Sequence, residues 1–158
     1  MTDRPDVSEF GSVDPAPASD NKAVANLRKT LCDEQERMFQ RRRALFALRN
    51  IGGSDAVESL AAAFDSSSAL LKHEIAYVLG QMQDDHAVPP LISRLEDLKE
   101  DVMVRHEAAE ALGAIGNRTA MSTLEKFADD EEVVVAESCE VAIDLLNWVS
   151  SDKLDYAD

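Results

Sequence analysis

The segment Arg43-Ala-Leu-Phe-Ala-Leu-Arg-Asn-Ile51 lies over Glu74-Ile-Ala-Tyr-Val-Leu-Gly-Gln-Met82 and Glu107-Ala-Ala-Glu-Ala-Leu-Gly-Ala-Ile115 without a gap, at offsets of 31 and then 33 residues. A fourth copy, Ser138-Cys-Glu-Val-Ala-Ile-Asp-Leu-Leu146, follows after another 31. No other feature constrains the chain as strongly, because a unit that recurs at such a period must bury its apolar face against its own neighbours. Ahead of each copy stands a second periodic segment, with Val24 and Leu27, Val57 and Leu60, Val88 and Leu91, or Met121 and Leu124 in equivalent places. Each unit is therefore predicted to be a pair of helices joined by short Asp, Gly or Asn turns, and the four units an all-α solenoid.

Repeats of this kind are similar to HEAT-like helical hairpins. The pattern occupies residues 21–150, and 158 residues leave room for one such stack and not for two large cores. Residues 1–20 contain Pro5, Pro15, Pro17 and Gly11 among Ser and Asp and show no period, so they are predicted to be a disordered linker or tail, with 151–158 a short C-terminal tail. Sixteen Lys plus Arg against 31 Asp plus Glu give a net charge of −15, which repels phosphate backbones and favours a cationic partner over nucleic acid. Two cysteines, Cys32 and Cys139, cannot form the framework of a small secreted domain, and no signal segment opens the chain, so a cytoplasmic, reduced setting is expected. No window approaches the ~20 apolar residues of a membrane span.

In the second unit Leu71, Ile75, Val78, Leu79 and Met82 form one helical stripe, the predicted core face. At about 100° per residue, His73 stands nearly opposite that stripe, beside Ala76, Tyr77 and Gly80, and Glu74 points to a flank. In the third unit Val104, Ala108, Ala111, Leu112 and Ile115 make the stripe, His106 stands with Ala109 and Gly113, and Glu107 takes the flank. Gly80 and Gly113 each cost roughly 1 kcal/mol against Ala inside a helix, so close approach of another group is expected on the His side, helix packing being the plainer alternative.

One His-Glu pair means little, but two pairs at equivalent positions of stacked helices ~8 to 10 Å apart project two imidazoles toward one surface. The first and fourth units carry Arg42-Arg43 and Glu137-Ser138 at this register, so only the central units offer imidazole with carboxylate. Two imidazoles and one carboxylate with open positions suit non-haem Fe(II) and oxygen chemistry, whereas structural zinc wants a closed set of four. Because adjacent helical residues diverge by about 100°, a His and the Glu after it are not expected to share an ion easily, which leaves Glu74 free to reach a second metal.

The stretches Ser68-Ala-Leu-Leu-Lys-His-Glu74, Tyr77-Val-Leu-Gly-Gln-Met82 and Met103-Val-Arg-His-Glu-Ala-Ala-Glu-Ala-Leu-Gly-Ala-Ile-Gly116 resemble the deoxyhypusine hydroxylase family. So do Ser12-Val-Asp-Pro-Ala-Pro17, similar to that family's connector between halves, Glu137-Ser-Cys-Glu-Val-Ala142, and the closing Tyr156-Ala-Asp158. The resemblance implies a dyad of two HEAT-repeat halves whose His-Glu pairs hold a di-iron centre that binds molecular oxygen and hydroxylates the deoxyhypusine side chain of a translation initiation factor. It further implies that His73 and His106 ligate one iron and that Glu74 reaches the iron of the opposite half. By the same resemblance Glu107 is expected at the site edge, as a metal-set carboxylate that also pairs with substrate ammonium groups.

Only the half similar to the C-terminal one is present. A fragment of a longer chain, pairing with a second copy or a complementary half, and a chain that kept only a binding surface all account for this, the connector-like start favouring the first. The reading from another class is a metal-free HEAT-like scaffold for protein-protein interaction; HEAT-like bilin lyases share the repeat pattern. His86 in Asp84-Asp85-His86 is expected at the surface, Arg41, Arg42 and Arg43 in ion pairs, and Trp148 as a cap on the stack. Ser138 has no flanking His in the sequence to make it a nucleophile.

Overall fold

The computed structural model describes residues 4–151, and the closing Tyr156-Ala-Asp158 motif and most of the 151–158 tail lie outside them. Eight α-helices are present among the described residues: α1 (Val24–Cys32), α2 (Met38–Ile51), α3 (Ser54–Ala62), α4 (Ala69–Met82), α5 (Val88–Glu96), α6 (Val102–Ile115), α7 (Met121–Phe127) and α8 (Val133–Ser150). They pair as α1/α2, α3/α4, α5/α6 and α7/α8, the four expected hairpins, and no strand occurs among the described residues.

Local chemistry sets the boundaries. Ser68 caps α4 by accepting from the Leu71 amide, and Asp101 caps α6 by accepting from the Met103 amide. Pro89 and Pro90 stand in the first turn of α5, where no amide donor is needed. Three equivalent positions, Gly52, Gln83 and Gly116, end α2, α4 and α6 at positive φ of 70°, 52° and 83°. Gln83 is the one without a glycine's freedom, and its Nε2 donates to the Ala114 carbonyl of the next repeat at 2.9 Å.

The predicted stripes are core: Leu71, Ile75, Val78, Leu79, Val104, Ala108 and Leu112 are wholly buried. The second helices α4, α6 and α8 lie side by side, with first helices behind them. What approaches the two glycines is the following helix. A Cβ on Gly80 would stand 3.1 Å from the Ala111 Cα, and one on Gly113 would stand 2.9 Å from the Ala142 Cα. The plainer alternative, helix packing, therefore accounts for both. Arg49 of α2 occupies the same register, and α2 packs less extensively on α4 than α4 does on α6.

Buried basic residues one position before the His register tie the hairpins together. Arg41 donates from Nε to the Leu31 carbonyl, and Arg105 donates from Nε to the Leu95 carbonyl, satisfying the C-terminal ends of α1 and α5. Their guanidinium heads pair with Glu34 and Asp130, and Lys72 between them pairs with Glu100. Arg41 and Arg42 thus stand in ion pairs, as expected, whereas Arg43 departs from the expectation and donates to a backbone carbonyl.

Residues 4–20 form no helix, yet they are fastened to α2 rather than trailing as a free tail. Asp14 accepts from Arg49 Nη2 at 2.6 Å and from Nη1 at 3.0 Å, and Arg49 has no exposed side-chain surface. Phe10 stacks 4.4 Å from the Arg49 guanidinium carbon, Ala16 is buried, and the Arg43 Nε donates to the Pro17 carbonyl. A proline-rich stretch lacks helical period but still binds a surface when a buried charge needs a partner. No helix among the described residues is long and apolar enough to cross a membrane.

Candidate metal centre

Because α2, α4, α6 and α8 stack with a constant offset, the residue at the His register of one repeat meets the residue at the Glu register of the next. This happens three times. Arg42 Nη2 lies 3.1 Å from Glu74 Oε2, His73 Nε2 lies 3.0 Å from Glu107 Oε2, and His106 Nδ1 lies 2.7 Å from Ser138 Oγ. The rungs share one geometry and differ in chemistry: an ion pair, an imidazole with a carboxylate, and an imidazole with a hydroxyl.

At the central rung a third donor joins. His106 Nε2 is 3.3 Å from the same Glu107 Oε2, and the two imidazoles stack with centroids 6.1 Å apart and planes 26° from parallel. His73, His106 and Glu107 each offer a ligand atom within 4.8 Å of the others. Glu107 is nearly buried, His106 is partly covered and His73 is the most open of the three, with 31% of its side chain exposed. The Glu107 carboxylate beside His73 raises that imidazole above its ordinary pKa, working against burial.

Two expectations change here. His106 and Glu107 were expected not to share an ion because adjacent residues diverge, yet their far atoms meet. The imidazole and the glutamate arm are both long enough to bend back across the turn. Glu107 also sits between the imidazoles rather than at the edge alone, while its side chain still lines a hollow with Tyr77, Gln81 and Glu110. Glu74 is not part of the triad; it is held by Arg42 and faces a second hollow that it shares with His73, Tyr77, Ser12 and Asp14.

The donor set fits a transition metal. Two imidazole nitrogens and one carboxylate oxygen converging at one place, with other sides open to hollows, are what a 2-His-1-carboxylate iron site offers. The cysteines stand apart: Cys139 is buried, and burial pushes its thiol up to about 11, away from the thiolate a metal would need. His86 is on the surface, 65% exposed, against Asp84 Oδ1 at 2.7 Å.

Sequence reasoning missed what holds the site. Ser138, without a flanking His in the sequence, receives one in space; its hydroxyl is buried and also lies 2.7 Å from the Val134 carbonyl, so it is not a free nucleophile. Arg49 with Asp14, which fastens the stretch bordering the Glu74 hollow, was equally unforeseen. The signal was available in the aligned repeats, since pairing each register position with its neighbour one repeat on yields all three rungs.

The sequence model of the family described as HEAT repeats matches residues 59–144, and that of the PBS lyase HEAT-like repeat matches 40–66. The chain belongs to the HEAT-repeat family. Within that class it is similar to deoxyhypusine hydroxylases: it is 49% identical to that of Danio rerio over 156 residues, covering 99% of this chain and 51% of the relative. It is 47% identical to that of Homo sapiens over 154 residues, covering 98% and 51%. A solved structure of human deoxyhypusine hydroxylase in complex with glycerol superimposes with a TM-score of 0.89 at 48% identity, covering 92% of this chain and 50% of that one. The family resemblance read from the motifs is borne out, and the chain spans about half the length of the curated relatives it matches.

Proposed function

We propose that the chain supplies one half of an iron-dependent monooxygenase that hydroxylates the deoxyhypusine side chain of a translation initiation factor. The observation that carries this reading is the convergence of His73, His106 and Glu107 in a chain about half as long as hydroxylases to which it is 49% identical. His73 and His106 would hold Fe(II) through Nε2 and Glu107 through its carboxylate. Bound iron would supply the activation of molecular oxygen, of which one atom enters a C–H bond and the other leaves as water with two electrons from an external reductant and two protons from solvent.

The protein's own residues do the rest. Stacked helices hold the imidazoles before metal arrives, so little is lost in ordering them. The hollow lined by Tyr77, Gln81, Glu107 and Glu110 presents carboxylates to a side chain carrying ammonium groups, and a net charge of −15 draws such a partner in. Glu74, outside the triad, is the carboxylate offered across to a second iron once a complementary half or a second copy of this chain faces it.

The reading is tested by assaying hydroxylation of a deoxyhypusine-bearing substrate with Fe(II), oxygen and reductant. The chain alone is expected to be inactive, and mixing with a complementary half is expected to restore turnover. Partner binding that persists after chelation, with no turnover in any combination, would replace this reading with the metal-free scaffold.

A further inference from the structure

The third rung of the ladder orients a ring as well as touching it. Ser138 stands at the register where the two preceding repeats carry Glu74 and Glu107, and its Oγ lies 2.7 Å from His106 Nδ1 and 2.7 Å from the Val134 carbonyl oxygen. A carbonyl oxygen only accepts, so the single hydroxyl proton is committed to Val134. The oxygen then has only lone pairs left for the imidazole, and the nitrogen facing it must be the donor. Glu110 Oε1, the other acceptor near that nitrogen, is 3.6 Å away and beyond hydrogen-bond distance.

We propose that Ser138 is a positioning residue for His106, holding the neutral ring with its proton on Nδ1 and its bare Nε2 turned to Glu107 and His73. Glu107 pulls the other way, since its Oε2, 3.3 Å from Nε2, rewards a proton there. Without the hydroxyl the ring would take the tautomer that blocks its own ligand nitrogen. Outer partners of ligating imidazoles work in this way in general, fixing tautomer and ring orientation. Ser138 is 4% exposed, so water does not readily stand in for it.

The inference rests on His106 being a metal ligand, and the experiment separates the two. Long-range proton-nitrogen NMR spectra of the metal-free chain, in mildly alkaline buffer where imidazoles are neutral, report which ring nitrogen carries the proton. The wild type is expected to show His106 protonated at Nδ1, Ser138→Ala to show it at Nε2, and Ser138→Thr, which keeps the hydroxyl, to match the wild type. Co(II) affinity is expected to fall about 10- to 100-fold in Ser138→Ala and to recover in Ser138→Thr. A wild-type His106 protonated at Nε2, or a Ser138→Ala chain with tautomer and affinity unchanged, would overturn the proposal. A wild type that binds no Co(II) refutes the ligand reading, and the spectrum of that same metal-free chain still decides the role of Ser138.

Discussion

The central repeats, α3/α4 and α5/α6, and the outer ones, α1/α2 and α7/α8, follow one backbone plan and diverge at two adjacent positions of the second helix. Arg42-Arg43 and Glu137-Ser138 replace the His-Glu pairs in the outer units. The stacking that brings His73 onto Glu107 also brings Arg42 onto Glu74 and His106 onto Ser138. A periodic scaffold thus builds the same contact three times, and side-chain identity decides whether it becomes a charge pair, a ligand cluster or a ring support. The outer repeats hold the members of the central ones without offering imidazole themselves.

The largest effect expected from breaking this division is on metal binding. Glu107→Ala should lose more affinity for Co(II) than the ~10- to 100-fold typical of an outer partner, while Glu74→Ala should leave the isolated chain's affinity unchanged, as measured by titration. Equal losses would erase the distinction between the two carboxylates.

Next come the clamps on the other side of the His register. Arg105 and Asp130 have side chains only 3% and 7% exposed, so Arg105→Ala should cost about 3 to 5 kcal/mol in denaturant unfolding at neutral pH. Arg41, paired with the more exposed Glu34, should cost less when replaced. The Arg105 guanidinium holds the Asp130 carboxyl below its ordinary pKa, so its contribution is present above the unfolded carboxylate value and is lost as pH falls through the folded one. The gap in stability between wild type and Arg105→Ala should therefore narrow in acid, which unfolding at pH 7 and pH 3 would reveal.

Smaller effects sharpen the packing comparison. Gly113→Ala gains about 1 kcal/mol of helix propensity, but its Cβ would stand 2.9 Å from the Ala142 backbone, and overpacking of roughly 1 to 3 kcal/mol should leave a net loss in thermal unfolding. Gly80→Ala, meeting Ala111 at 3.1 Å, should lose less. Smallest is Arg42→Ala, whose partly exposed pair with Glu74 should be worth under about 1 kcal/mol by the same denaturant measurement.

The hairpins, their order and the core stripes were legible in the sequence because stacking forces the apolar period to repeat. His73 and His106 were legible for the same reason, as polar residues opposite a repeated stripe. The union of His106 with Glu107 was not, because helical angles locate Cβ atoms and say little about where long side chains end. Arg49 drew no reading from the sequence, because its partner Asp14 lies 35 residues away, a separation that no local pattern encodes. Gly80 and Gly113 pointed correctly to a close approach, but only the stack shows that the next helix makes it.

Whether the two central repeats hold the metal is decided by an anaerobic Fe(II) titration of the wild-type chain beside the double variant His73→Ala/His106→Ala, with circular dichroism on both. Saturable binding by the wild type, absent from the double variant at unchanged helicity, is predicted, because neither side chain belongs to the core stripe. Undiminished Fe(II) binding by the double variant would contradict that placement of the metal.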